Sequence, residues 1–331
     1  MQDLTAEIRA RATATPVAPL EVPPHRRFAG FAWGVLAYNV AVILWGALVR
    51  ATGSGAGCGG HWPLCNGEVL PNVSQIGTVI EFTHRIMSGV ALVLVAAMFV
   101  WGRKNFPAGH PARRWAVWSL VFILTEALLG ASLVLLGHVA RNESVGRVYS
   151  LAAHLVNTFL LLASLALAAW SATRPHRRPA LPSKPGLFSL SASGPLIALV
   201  LVAVAGAITA LGDTLFPAHT LAQGMRDDFS STASFLIRLR IIHPFLAVAA
   251  GGLIAVVAVP EFRARRTAAL QVLSGGLLAL FAAQIALGIA SILLQAPLPL
   301  QLLHLLIADG IWITLVLFTA ERLDALAAVR E

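Results

Sequence analysis

The sequence predicts an all-α integral membrane protein with eight transmembrane helices, arranged as two pseudo-symmetric four-helix bundles. Three observations lead there: apolar blocks of span length, basic residues gathered on alternate connections, and short motifs that recur in the same order in the two halves. Of 331 residues, 57% are hydrophobic and 12% charged, where soluble domains carry about 25% charged residues.

A spanning helix needs about 20 consecutive, mostly apolar residues. Such blocks run over residues 28–49, 77–101, 115–136, 148–171, 195–211, 235–258, 269–293 and 299–320. The fifth is short and the last two lie close together, so seven spans is the competing count. The blocks divide the chain into a tail (1–27), a first bundle (28–171), a linker (172–194), a second bundle (195–320) and a second tail (321–331). The first tail and the linker are polar and Pro-containing. The long polar lead and the span-length first block read as a retained segment, not a cleaved signal peptide.

The net charge of +9 need not imply a polyanionic partner. Arg9, Arg11, Arg26 and Arg27 precede span one. Arg103, Lys104, Arg113 and Arg114 follow span two, Arg174, Arg177, Arg178 and Lys184 follow span four, and Arg263, Arg265 and Arg266 follow span six. With Arg322 and Arg330 these make 17 of the 24 basic residues. The positive-inside rule then predicts a multi-pass protein of the cell membrane with both termini cytoplasmic. The charge is explained by topology, and no nucleic-acid partner is expected.

The halves share an order of motifs. Gly46-Ala47-Leu48 closes span one, and Gly206-Ala207-Ile208 closes span five. His84 lies near the start of span two and His243 near the start of span six. Glu126 and Gly130 in span three answer to Gln284 and Gly288 in span seven, and His154-Leu155 answers to His304-Leu305. Four matches in one order predict a duplicated four-helix unit with parallel repeats.

Four of the ten histidines thus fall inside spans, where ionisable groups are costly and default to function. His84, His154, His243 and His304 each lie about 8–13 Å below the start of their span at 1.5 Å per residue. Two facing imidazoles in an apolar bundle suit the axial positions of heme iron; a zinc site would call for more ligands. The competing reading is interhelical hydrogen bonding.

The halves differ in chemistry. Glu81 lies three residues before His84, on one helical face with it, and Arg240 occupies that place before His243. A buried carboxyl beside the first pair would serve as a proton donor or acceptor; a salt bridge from Glu81 to Arg85 is the alternative. Arg85 and Arg240 are candidates to hold heme propionates. Glu126 is a second buried acid, open between a structural hydrogen bond and a proton path. Asp309 reads as structural, and Asn39 and Asn157 as polar contacts between helices. Cys58 and Cys65 lie in the Gly-rich connection after span one, where a disulfide or two free thiols are the options. This connection and its counterpart, 212–234, would form a lid.

Arg50-Ala-Thr-Gly-Ser-Gly55, Cys58 through Trp62-Pro63-Leu64-Cys65-Asn66-Gly67, Glu81-Phe-Thr-His84-Arg85, His154-Leu, His243-Pro and His304-Leu together resemble the heme A synthase family. The resemblance runs from about residue 28 to 320; one departure is Gly59-Gly60-His61 before Trp62. It implies that His243 and His304 ligate a resident heme b, that His84 and His154 face the substrate heme O, and that Glu81 is catalytic. It also implies a Cys58–Cys65 disulfide. The expected reaction oxidises a porphyrin methyl group to a formyl by two hydroxylations and loss of water, for cytochrome oxidase biogenesis. Partners of that pathway would be a heme O synthase, oxidase assembly factors and a membrane electron acceptor, with a homo-oligomer left open. The alternatives are a diheme b-type electron-transfer cytochrome without substrate chemistry, a heme-binding or transport protein, and a prenyltransferase making heme O. The last would need clustered acids for magnesium diphosphate, and no inside connection carries them.

Overall fold

The computed structural model describes residues 23–72, 74–174 and 187–328. Most of the polar lead, the linker residues His176, Arg177, Arg178 and Lys184, and Arg330 lie outside the described residues, so the expectations placed on them are untouched. The helices are α1 (Pro24–Ala51), α2 (Ile76–Asn105), α3 (Pro111–Leu135), α4 (Val145–Ser171), α5 (Leu187–Leu215), α6 (Leu221–Phe229), α7 (Phe235–Leu239), α8 (Ile242–Ala264), α9 (Ala268–Leu293) and α10 (Leu298–Ala328). Eight candidate spans result, with α7 and α8 together forming the sixth. Seven spans is therefore excluded.

The fifth span looked short because its apolar run starts only at Pro195, which lies inside a helix that begins eight residues earlier. The sixth is broken at Arg240–Ile241, just before His243. The cause is Pro244: it lacks the N–H that would bond the Arg240 carbonyl one turn back. The His243 N–H donates to that carbonyl instead, at 3.3 Å.

The helices present apolar side chains outward as well as inward. Val93, Leu128, Val248, Val256 and Val272 are all exposed by more than 60%. In water such a surface would drive aggregation; against lipid tails it is matched, and helices satisfy their backbone hydrogen bonds internally.

The first four spans close in a ring, α1 against α2, α2 against α3, α3 against α4, and α4 against α1. The last four repeat that neighbour order: α5 against α8, α8 against α9, α9 against α10, and α10 against α5. The two sets meet through α1 and α4 on one side and α5 and α10 on the other. At this seam Trp312 of α10 stacks on Phe159 of α4 (ring centres 4.7 Å apart, planes at 23°). Its indole N–H donates to the Phe159 carbonyl at 2.7 Å. Both side chains are buried.

At the end of the bundle away from the cysteine loop, buried acids gather the basic residues. Glu261 accepts from Arg322 at 3.1 Å and lies 3.7 Å from Arg266, and Glu321 pairs with Arg174. Basic residues that mark one side of the membrane thus also tie the ends of α4, α8, α9 and α10. Asn39 departs from its expected role: its amide donates to the Val35 carbonyl of its own helix at 2.8 Å. Asn157 does link helices, as described below.

Replacing Trp312 by Ala should remove both the stacking and the hydrogen bond and cost about 3–5 kcal/mol. Trp312→Phe should cost only about 1 kcal/mol. Thermal unfolding in detergent, followed by circular dichroism, measures both; equal and negligible shifts would contradict a seam held by this residue.

Candidate functional site

Each intramembrane histidine lies about two turns into its span, and α2, α4, α8 and α10 all start at the same end of the bundle. Each ring also rests against a glycine of the preceding span. A Cβ on Gly46 would stand 3.0 Å from His84 Cε1, and one on Gly206 would stand 2.8 Å from His243 Cε1. Gly288 and Gly130 face His304 and His154 in the same way, at 3.5 and 4.0 Å. The paired motifs Gly46-Ala-Leu and Gly206-Ala-Ile thus acquire a physical reason: at both places the imidazole occupies the volume a side chain would need.

His243 and His304 face one another with ring centres 6.5 Å apart and planes at 71°. A metal atom bonded to one nitrogen of each ring, at about 2 Å per bond, sets the ring centres roughly 6 Å apart. His243 Nδ1 lies 3.1 Å from the Val202 carbonyl. With the proton on that nitrogen, Nε2 is left as the ligating atom, an orientation common among metal-bound histidines. His304 Nε2 meets the Gln284 amide nitrogen at 3.0 Å, while His304 Nδ1 and Gln284 Oε1 are buried without partners.

The first pair is built differently. His84 Nδ1 is buried without a hydrogen-bond partner. His154 Nδ1 faces Glu126 Oε1 at 3.3 Å. Glu126 is fixed by Asn157, whose amide donates at 2.5 Å, and by the Thr158 hydroxyl. Asn157 also donates to the Phe122 carbonyl at 2.9 Å and accepts from Thr125 at 2.6 Å. Glu126 thus stands at ion-pair distance from His154, whose Nδ1 is buried without a hydrogen-bond partner, while Gln284 contacts His304 in the other set. Asp309, expected to be structural, is buried with neither carboxylate oxygen hydrogen-bonded.

Among the described residues no three His, Cys, Asp or Glu converge on one metal position. What the structure offers instead is one facing pair, His243 with His304, and His84 and His154 at corresponding places on α2 and α4; each set includes a buried ring nitrogen without a hydrogen-bond partner and rests against glycines. That donor set fits a planar iron porphyrin with two axial histidines.

Glu81 is 3% exposed. Its Oε2 accepts from the Cys58 backbone N–H at 2.8 Å, and its Oε1 accepts from Arg85 at 2.6 and 3.2 Å. Arg85 in turn donates to the carbonyls of His61 at 2.7 Å and Leu64 at 2.6 Å. The salt bridge weighed as an alternative for Glu81 is thus present, and it joins the acid to the loop above it. Cys58 and Cys65 form a disulfide, with Cα atoms 4.4 Å apart, and both are buried. Gly57 lets this loop approach α2: a Cβ there would lie 2.4 Å from the Gly77 carbonyl, and the Gly57 carbonyl accepts from Thr78 at 2.7 Å.

Arg240 is held by Asp213 at 2.8 Å and by Asp228 at 2.8 Å. Both guanidiniums proposed from the sequence for heme propionates are therefore already paired with carboxylates. Among the described residues, two arginines to which sequence reasoning gave no role bond to neutral groups alone: Arg50 to Ala210, Thr214 and Gln301 of the second set, and Arg147 to Ala140 and Asn142. Their signal was present: Arg50 stands one turn beyond Gly46, and Arg147 two turns before His154.

The chain is 44% identical over 305 residues to a protein of Thermus thermophilus named protoheme IX farnesyltransferase, an alignment covering 92% of this chain and 50% of that protein. The protein of that name from a second strain of the same organism gives the same identity and coverage. The chain thus spans about half the length of these two relatives. It is 45% identical over 96 residues to the heme A synthase of Bacillus licheniformis, covering 29% of this chain and 32% of that one. The model of the COX15-CtaA family, described as cytochrome oxidase assembly protein, matches residues 29–77 and 72–316, and the chain belongs to that family.

Proposed function

We propose that the protein is a heme A synthase, which oxidises one methyl group of heme O to the formyl group of heme A. The observation that carries this is the asymmetry of two otherwise corresponding imidazole pairs. The first has acids, Glu81 three residues before His84 and Glu126 against His154; the second has Arg240 and Gln284 in those places. The first pair is the substrate site and the second, His243 with His304, holds a resident heme b. The recurring neighbour order of the spans and the four glycine-to-histidine contacts support the reading of a duplicated unit divided between residues 28–171 and 195–320.

The resident heme, when bound, supplies redox capacity for electrons leaving the substrate. Written with water as the oxygen source, each hydroxylation replaces a methyl C–H bond by C–O and releases two protons and two electrons, the electrons passing to a membrane electron acceptor. The second gives a gem-diol, which loses water to leave the formyl. Protons released at the methyl need an acceptor in a medium without bulk water, and Glu81 supplies it. The contacts of Glu81 with Cys58 N and Arg85 hold the carboxylate and the loop in one position. Glu126 fixes the orientation of His154 from behind.

The two long Thermus relatives carry the name of a farnesyltransferase. That chemistry binds magnesium diphosphate through clustered acids. Here Asp213 and Asp228 are committed to Arg240, and Glu261 to Arg322 and Arg266. We therefore assign the prenyl chemistry to the half of those relatives that this chain does not match. A heme O synthase is then the natural supplier of substrate and cytochrome oxidase assembly the destination of product. The basic ends of the spans support a cell-membrane protein with both termini cytoplasmic and the disulfide loop outside.

Pigment extraction from purified protein tests the division of labour. His84→Ala should remove heme O and leave heme b, and His243→Ala should do the reverse; identical losses in the two variants would count against it. Gly206→Ala, which sets a methyl against the His243 ring, should lower heme b content alone.

Glu81→Gln, supplied with heme O, should lower heme A formation about a hundredfold or more while porphyrin binding persists. Chromatography of extracted hemes reads this, and wild-type heme A output from both Glu81→Gln and Glu81→Ala would sink the role given to Glu81.

A further inference from the structure

Asp309 is the buried acid that the proposed chemistry leaves without a task. It lies five residues past His304 on α10, about 7.5 Å further from the loop end at 1.5 Å per residue. It is 1% exposed, and neither carboxyl oxygen has a hydrogen-bond partner among the described residues. Three residues on, Trp312 stacks on Phe159 at the seam, so Asp309 stands on the seam side of α10. A buried polar group without a partner calls for an explanation, and a carboxylate so placed is costly unless a positive charge offsets it.

Among the described residues, the helices packed on α10 bring no cation to this depth. Those helices are α1, α4, α5 and α9. Between Arg27 and Arg50, α1 has one titratable group, Tyr38, whose hydroxyl donates to the Met87 carbonyl of α2. Between Arg147 and Arg174, α4 carries Tyr149 and His154, and His154 faces Glu126 of α3. α9 carries none, and α5 none before Asp213, which is held by Arg240. Arg50 meets Gln301, eight residues before Asp309 and so about 12 Å nearer the loop end. On α10 itself the nearest such groups are His304 and, twelve residues further on, Glu321, which is paired with Arg174.

The charge that fits is the cofactor's. Propionates aside, ferric iron in a porphyrin with two neutral imidazoles carries one positive charge, and reduction removes it. Asp309 belongs to the His243–His304 set alone, since the residue five past His154 is Phe159. We infer that Asp309 is the proton acceptor coupled to the oxidation state of the iron held by His243 and His304. It is a carboxylate while the iron is ferric and a carboxylic acid while the iron is ferrous. One electron arriving from the substrate is thus matched by one proton arriving at Asp309, and both leave when the electron passes to the membrane electron acceptor. This rests on the heme-binding reading above and adds to it the group that keeps the second site neutral as electrons enter. Unit charges roughly 12 Å apart, at an effective dielectric constant of about 20, shift each other's equilibria about tenfold.

Redox titration of the purified full-length protein, followed by heme absorbance at a series of pH values, tests this. The midpoint potential of the resident heme should fall as pH rises, because reduction takes up a proton. Between its acid and alkaline limits the fall should be about tenfold in the reduction equilibrium, or about 59 mV for one electron. Asp309→Asn, which keeps the volume and cannot ionise, should abolish that fall and hold the potential at the wild-type acid limit. Asp309→Glu should restore it. Redox-difference infrared spectra should show a protonated-carboxyl band that grows on reduction of the wild type and is missing from Asp309→Asn. Wild-type pH dependence in Asp309→Asn, or a wild-type difference spectrum without that band, would overturn the proposal. Equal loss in Asp309→Asn and Asp309→Glu would overturn it too, since a purely structural role predicts that result. Should Asp309→Asn fail to retain heme, the wild-type infrared spectrum decides alone. If the folded wild-type protein binds no heme with two axial imidazoles, the heme-binding reading fails and takes this role with it; a normal heme whose potential ignores Asp309 sinks the role alone.

Discussion

An imidazole ring between two helices in lipid needs space, and here the space comes from a glycine on the neighbouring span. Gly46, Gly130, Gly206 and Gly288 each face a histidine ring across a helix pair. Helices that pack closely enough to exclude lipid leave little volume for a ring, so the missing side chain on one helix admits the ring on the other. The order of spans, the depth of the histidines and the small-residue motifs all follow from keeping four such contacts. Where the contact is tightest, at Gly206 with His243, the span also breaks, because Pro244 removes a backbone donor one turn from the ring.

Around these rings the two sets of spans distribute charge in opposite ways. In the first, Glu126 stands against His154, and Glu81, three residues before His84, is bonded to Cys58 N and Arg85. In the second, Arg240 is neutralised by Asp213 and Asp228, and the amide of Gln284 touches His304. Charge close to a ligating ring is a means of chemistry, and neutral hydrogen bonding is a means of retention. This asymmetry is what the proposed division between a substrate site and a cofactor site rests on.

Glu81 joins the pocket to the loop. Its carboxylate receives the Cys58 backbone N–H and the Arg85 side chain, and Arg85 reaches back to the His61 and Leu64 carbonyls. The disulfide-closed loop and the acid therefore hold a common position.

The sequence by itself determined the eight spans, the four histidines and their depth, the cysteine loop and the difference between Glu81 and Arg240. These follow from local features, namely run length, spacing along a helix and residue type, which survive without knowledge of packing. Span ends were less legible, since helices continue past the apolar run wherever polar residues find water or partners, as α5 does upstream of Pro195. Only the tertiary structure decided which polar group meets which. It paired Arg85 and Arg240 with acids and turned Asn39 back onto its own helix. It also placed Glu126 against His154 and, among the described residues, gave Arg50 and Arg147 neutral partners. The reason is physical: in a medium of low dielectric constant a polar group's role is set by what stands within about 3 Å of it, and for residues on different helices that distance is fixed by packing and not by spacing along the chain.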